Sequence, residues 1–158
     1  MNAVLGDFLP PKAKNQYVDS GLTPGQIVCL PIDFGDCVNE KLALLLAYDD
    51  GNVLLFLVNS QIHPKLAEHA DTARCQVRLE CADCDFLDHD SYLNCSEVRL
   101  LRAEEVRAQV LAETWRLKGR ITEAARRQVT NVVLSSRLVS GNHTKLIHRS
   151  LKGDRARD

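Results

Sequence analysis

Short apolar runs separated by polar turns fill the first hundred residues. Gln26-Ile27-Val28-Cys29-Leu30-Pro31-Ile32 reads as a buried strand. Two more runs, Leu42 to Tyr48 and Val53 to Val58, flank Asp49-Asp50-Gly51-Asn52. Asp-Gly tolerates the positive φ of a tight hairpin turn, so these runs are expected as paired strands although the leucines of Leu42 to Leu46 also suit a helix. Further on, Cys75, Val77, Leu79 and Cys81 alternate with Gln76, Arg78 and Glu80, the period of a half-buried strand. Ser91 to Leu101 predicts one or two strands, with Leu93 and Cys95 on one side and Tyr92 on the other.

The last third changes period. Val106, Val110, Leu111, Thr114 and Leu117 fall on one helical stripe, with Glu104 and Glu105 in the first turn, Lys118 in the last and Gly119 as the stop. A second helix follows, capped by Thr122, with Ala125, Val129, Val132 and Val133 inward. Residues 1–23, broken by Pro10-Pro11, are expected as an extended arm, and 61–73, broken by Pro64, as a surface loop. The barrel-and-helix domain is expected over 24–138. Residues 139–158 form a basic tail, too polar to bury much and expected to be loose. Strands in sequence followed by helices predict a mainly β chain: a small antiparallel barrel plus two α-helices.

Length and composition bound the function. The chain has 158 residues, 45% hydrophobic and 26% charged, enough for one domain with a real core. It has no apolar run of membrane-spanning length and no positively charged leader, so neither a membrane span nor a secretory signal is expected. Six cysteines without an export signal point to a reducing, cytoplasmic compartment. The net charge of −1 hides an asymmetry: residues 1–100 carry −8 and residues 101–158 carry +7. A basic third suits an anionic partner such as RNA, or simply a solvated helical surface.

Several constellations compete for the chemistry. Cys81, Cys84, His89 and Cys95 have the ligand types of a zinc site, although their alternating apolar setting favours ordinary buried thiols. Cys81 and Cys84 form a CxxC pair with no helix N-terminus after it to stabilise a thiolate. His63, His89, His143 and His148 are candidate acid–base groups without a partner at diagnostic spacing. His89-Asp90-Ser91 holds the residue types of a hydrolase triad, but consecutive strand residues alternate faces and cannot form one. Trp115 is expected in a core or an interface, and no glycine-rich phosphate loop is present. Lys41, Asn59 and Ser60 stand at predicted strand ends, where a cation, an amide and a hydroxyl could hold a phosphate group. Polar residues at strand ends usually just face water.

Together, the motifs resemble the PemK/MazF family of toxin ribonucleases. Pro24-Gly25-Gln26-Ile27-Val28 is similar to that family's opening strand, and Lys41-Leu42-Ala43-Leu44-Leu45-Leu46 to its Arg-Pro-Ala-Leu-Val-Leu segment. Asn59-Ser60 resembles its Thr-Ser, Asp90-Ser91-Tyr92-Leu93 its Asp-Ser-Tyr-Val, and Gly119-Arg120-Ile121-Thr122 the start of its closing helix. The resemblance implies an SH3-like barrel, a homodimer, a small antitoxin protein as partner, and cleavage of single-stranded RNA with no metal or other cofactor. It further implies Lys41 and Ser60 as catalytic residues, and Asn59, Gln61, Arg120 and Arg126 as substrate contacts. Lys41 stands where the family has arginine, which exchanges a planar fork for a point charge. That substitution, with Leu42, Gln26 and Asn59, also suits a non-catalytic RNA- or protein-binding module on the same fold.

Overall fold

Asp50 and Gly51 adopt φ of 49° and 78°, the two left-handed residues that a tight hairpin turn demands. In the computed structural model, which describes residues 8–153, this turn joins the second and third strands along the chain. The strands are β1 (Gln26–Asp33), β2 (Val38–Asp49), β3 (Asn52–Asn59), β4 (Gln76–Leu79), β5 (Ser91–Asn94), β6 (Arg99–Arg102) and β7 (Leu117–Arg120). Every pairing is antiparallel. The order is β4-β5-β3-β2-β1-β7, with β6 following β5 along the same edge of β3.

Helices cover both faces: α1 (Pro11–Gly21), the short α2 (Pro64–Glu68) and α3 (Ala70–Ala73), α4 (Ala103–Ala112), α5 (Glu123–Ser135) and α6 (Gly141–Gly153). On one face Leu44, Leu46, Phe56, Val58, Val77 and Leu93 pack against Val129 and Val133 of α5 and Ile147 and Leu151 of α6. On the other, Val28, Leu30, Ala43, Leu45, Leu55 and Leu57 pack against Val18, Leu22, Val106 and Val110. The chain is mainly β with helices, but the predicted barrel does not close. Among the described residues β4 and β7 end the sheet without pairing to each other. Two helical layers bury both faces, so the sheet need not curl on itself to make a core.

Four local expectations are corrected. The supposed arm contains α1, because Pro11 takes the first helical position, where a missing N–H costs nothing; residues 1–7 lie outside the described residues. The loop over 61–73 holds α2 and α3, and the His63 ring accepts the Lys65 N–H at the start of α2. The helix expected up to Lys118 stops at Ala112, and Leu117–Arg120 pairs with β1 instead. That strand satisfies backbone groups on β1 that an edge would leave open. The supposed loose tail contains α6, because Ile147 and Leu151, one turn apart, are both buried; residues 154–158 are outside the described residues. The Thr122 cap is as expected, its hydroxyl accepting the Ala125 N–H at 3.1 Å. No helix of the described residues is long and apolar enough to cross a membrane.

α1 is tied down at its C-terminal end, where the Tyr48 hydroxyl donates to the Leu22 carbonyl at 2.7 Å. Burial, with Asp19 nearby, pushes the Tyr48 phenol up to about 12. A raised folded pKa means that the bond contributes fully below the free-phenol value of about 10 and is lost as pH rises through about 12. Tyr48→Phe is expected to cost about 1 kcal/mol at neutral pH. It should also shed the alkaline part of the stability profile, read by urea unfolding at neutral and alkaline pH.

Candidate functional site

Lys41 and Asn59 lie two residues beyond the Ala43–Leu57 pair on their respective strands. The Lys41 ammonium donates to Asn59 Oδ1 at 2.8 Å. The pairing continues outward: Asn59 is opposite Tyr92 on β5, and Tyr92 is opposite Arg78 on β4. Residues opposite one another on antiparallel strands share a face, so Lys41, Asn59, Tyr92 and Arg78 form one row across four strands. The row extends the face that holds Leu30, Ala43 and Leu57. Where the apolar part ends, the polar part stays at the surface: Lys41, Asn59 and Tyr92 are half-buried and Arg78 is exposed.

Local chemistry fixes the two cations of the row. Burial alone pushes the Lys41 ammonium below the usual lysine range, and its short reach to Asn59 gives the cation a defined position. Arg78 is held by Asp90, which also accepts the Cys81 backbone N–H at 2.9 Å. That N–H and the Arg78 guanidinium hold the Asp90 carboxyl down at about 2. Arg99, opposite Leu55, shares the face. Its guanidinium lies 5.3 Å from the centre of the Phe34 ring, so the β1–β2 tip leans over this side of the sheet. The face therefore carries three cations interleaved with two aromatic rings.

Behind it, Arg116 anchors the start of β2. Its guanidinium is buried and donates to both Glu40 oxygens at 2.7 and 3.1 Å, to Glu113 at 2.9 Å and to the Cys29 carbonyl at 3.0 Å. Trp115 is half-buried, with the Arg116 guanidinium 4.6 Å and the Lys118 ammonium 4.9 Å from its ring centre. Glu40 precedes Lys41, so this clamp sets the strand that carries the candidate cation.

The sequence-derived residues divide into two groups. Lys41 and Asn59 come together, and Ser60 and Gln61 follow immediately, exposed at the end of β3. Arg120 and Arg126 belong elsewhere. Arg120 is on β7 at the far edge of the sheet, bonded to the Thr23 hydroxyl and the Pro24 carbonyl at 2.8 and 2.6 Å. Arg126 is buried on α5, across the sheet from Lys41, and donates to the Leu151 carbonyl at 2.8 Å. The two guanidiniums converge over Gly25, where φ is +97° and an added Cβ would come within 2.6 Å of Arg126 and 3.1 Å of Arg120. Both arginines thus tie structural elements together and stand apart from the Lys41 row.

Tyr92 and Arg78 complete the row without a motif that marks them as site residues, although the alternation of Val77 and Leu79 sends Arg78 to the opposite face. The zinc alternative also lacks its geometry. Cys84 and Cys95 are buried in the core and Cys81 is exposed, and among the described residues no three His, Cys, Asp or Glu side chains converge as metal ligands.

No protein-family model matches the chain, and no curated protein matches it. Among solved structures, it is similar to the Mycobacterium tuberculosis toxin MazF-mt6, at 12% sequence identity and a TM-score of 0.45, over 77% of this chain and 97% of that one.

Proposed function

We propose that this chain is a divergent toxin of the PemK/MazF kind that binds single-stranded RNA on the Lys41 face and cleaves it without a metal. The carrying observation is the row of Lys41, Asn59, Tyr92 and Arg78 across β2, β3, β5 and β4. Successive bases need an aromatic platform and their phosphates need cations; Tyr92 and Phe34 offer the first, Lys41, Arg78 and Arg99 the second. Only an unpaired strand offers bases to stack, so the substrate is single-stranded.

Cleavage by the RNA's own 2′-hydroxyl builds negative charge on the phosphorane. Lys41 is the group that stabilises it, positioned by Asn59. Ser60, next along the chain, contacts the scissile phosphate, and Gln61 a neighbouring nucleotide. A homodimer and a small antitoxin protein complete the assembly in this reading, which acts in the cytoplasm. The alternative is a non-catalytic binding module, favoured by the Lys41 ammonium's existing bond to Asn59.

Retention of labelled single-stranded RNA on a filter, across a salt series in EDTA, tests the binding half. Wild-type protein should bind more weakly as salt rises. Tyr92→Ala should lose about 1–3 kcal/mol of binding, the usual worth of one stacked base. Retention unchanged by that substitution would remove the sheet face as the RNA site.

A further inference from the structure

Two cysteines face each other just outside the β4–β5 ladder. The register runs through Gln76 opposite Asn94, which makes Cys75 and Cys95 the next pair, and the Cys95 N–H donates to the Cys75 carbonyl at 2.9 Å. Both side chains are buried in the same core cluster. Cys75 also reaches the surface through a cavity of about 390 Å³ that it lines with Arg74, Arg137, Asp71, Ser136 and Val132. Its sulfur is 3.5 Å from the Ser136 hydroxyl.

We infer that Cys75 is an oxidation site for small hydroperoxides, with Cys95 as its resolving thiol. The cavity gives a small oxidant a route to Cys75. The Ser136 hydroxyl stands beside the Cys75 sulfur, and Arg74, Arg137 and Asp71 line the approach to it. Cys95 is buried among apolar groups, which push its thiol up, so it is the second reactant and not the first.

The CxxC pair is the poorer site. Asp90 raises the Cys81 thiol, while burial and then Asp83 and Asp85 raise that of Cys84. These acidic neighbours oppose a thiolate.

The chemistry balances with hydrogen peroxide as oxidant. The Cys75 sulfur attacks one peroxide oxygen, the O–O bond breaks, and the leaving hydroxide takes up the thiol proton as water, giving a sulfenic acid. The Cys95 sulfur then attacks the Cys75 sulfur: the S–S bond forms, the S–O bond breaks, and a second water leaves with the Cys95 proton. Two thiols are oxidised and one peroxide is reduced.

Peroxide treatment of the reduced, folded chain, followed by alkylation of remaining thiols and peptide mapping, tests the assignment. A Cys75–Cys95 link that dithiothreitol reverses is the expected product. Cys95→Ser should halt at the first step, its Cys75 labelled by dimedone, while Cys75→Ser should form no link to Cys95. Cooperative thermal unfolding of both variants keeps the comparison among folded proteins. A Cys81–Cys84 link in preference to Cys75–Cys95, or a folded Cys95→Ser chain whose Cys75 takes up no dimedone, overturns it.

Discussion

Lys41→Ala should lower the cleavage of single-stranded RNA by at least about a hundredfold, the usual loss when one group that stabilises transition-state charge is removed. The expectation rests on placement. The ammonium is held 2.8 Å from Asn59 Oδ1 at the border between an apolar face and an open polar one. It is half out of water there, so its charge acts on a phosphate with less screening than that of a surface lysine. The side chain is not part of the apolar cluster, so thermal unfolding should barely move. Lys41→Arg keeps the charge and should retain part of the activity, with a different reach and fork geometry. The check is a single-turnover rate for each variant beside its melting curve. Wild-type cleavage by a folded Lys41→Ala chain would dismiss Lys41 as the catalytic cation.

Arg116→Ala should cost about 3 kcal/mol of stability, the lower end of what breaking a buried ion pair costs. The guanidinium side chain is only 8% exposed, and its loss removes the charged donor from Glu40, Glu113 and the Cys29 carbonyl. Among side-chain donors of the described residues, Glu40 then keeps only the Cys29 thiol and Glu113 the Trp115 indole N–H. The lower end applies because both carboxylates are about half exposed, at 49% and 48%, and can return to water. The Arg116 bond also holds the Glu40 carboxyl below its usual range. A depressed folded pKa gives stability that is full above the free-carboxyl value of about 4.3 and lost as pH falls through the folded one. Urea unfolding of the variant should therefore show a lower midpoint near neutrality and a flatter decline in mild acid. An unchanged midpoint would mean that the clamp adds nothing to the fold. Because Glu40 adjoins Lys41, the variant should also cleave RNA more slowly than its stability alone explains.

The parts of the fold that a sequence reveals are those whose pattern is local. The β2–β3 hairpin was legible because Asp50-Gly51 allows one kind of turn and the flanking runs are apolar. The start of α5 was legible because Thr122 caps it. α1 and α6 were not, for different reasons. Pro10-Pro11 reads as a breaker unless the following residues are known to pack, and Val18 and Leu22 find their partners on strands far along the chain. In α6, Leu146, Ile147 and Leu151 are too few among polar residues to announce a buried face. β7 was hidden because its reason to be a strand is the open edge of β1, a tertiary fact.

The site followed the same division. Lys41 and Asn59 could be paired because one hairpin relates them. Tyr92 and Arg78 joined them only through the β3–β5 and β4–β5 registers, which no local pattern fixes. The family resemblance implies Arg126 as a substrate contact, yet its helix turns it inward to the Leu151 carbonyl.

The central claim is that the sheet face around Lys41 cleaves single-stranded RNA without a metal. Its most direct test is incubation of the wild-type chain with an end-labelled single-stranded RNA in excess EDTA, with the fragment ends identified. The account predicts fragments that persist in the chelator and end in a 2′,3′-cyclic phosphate, the product of attack by the RNA's own hydroxyl. RNA that stays intact with folded protein, or fragments that vanish in EDTA, would contradict it.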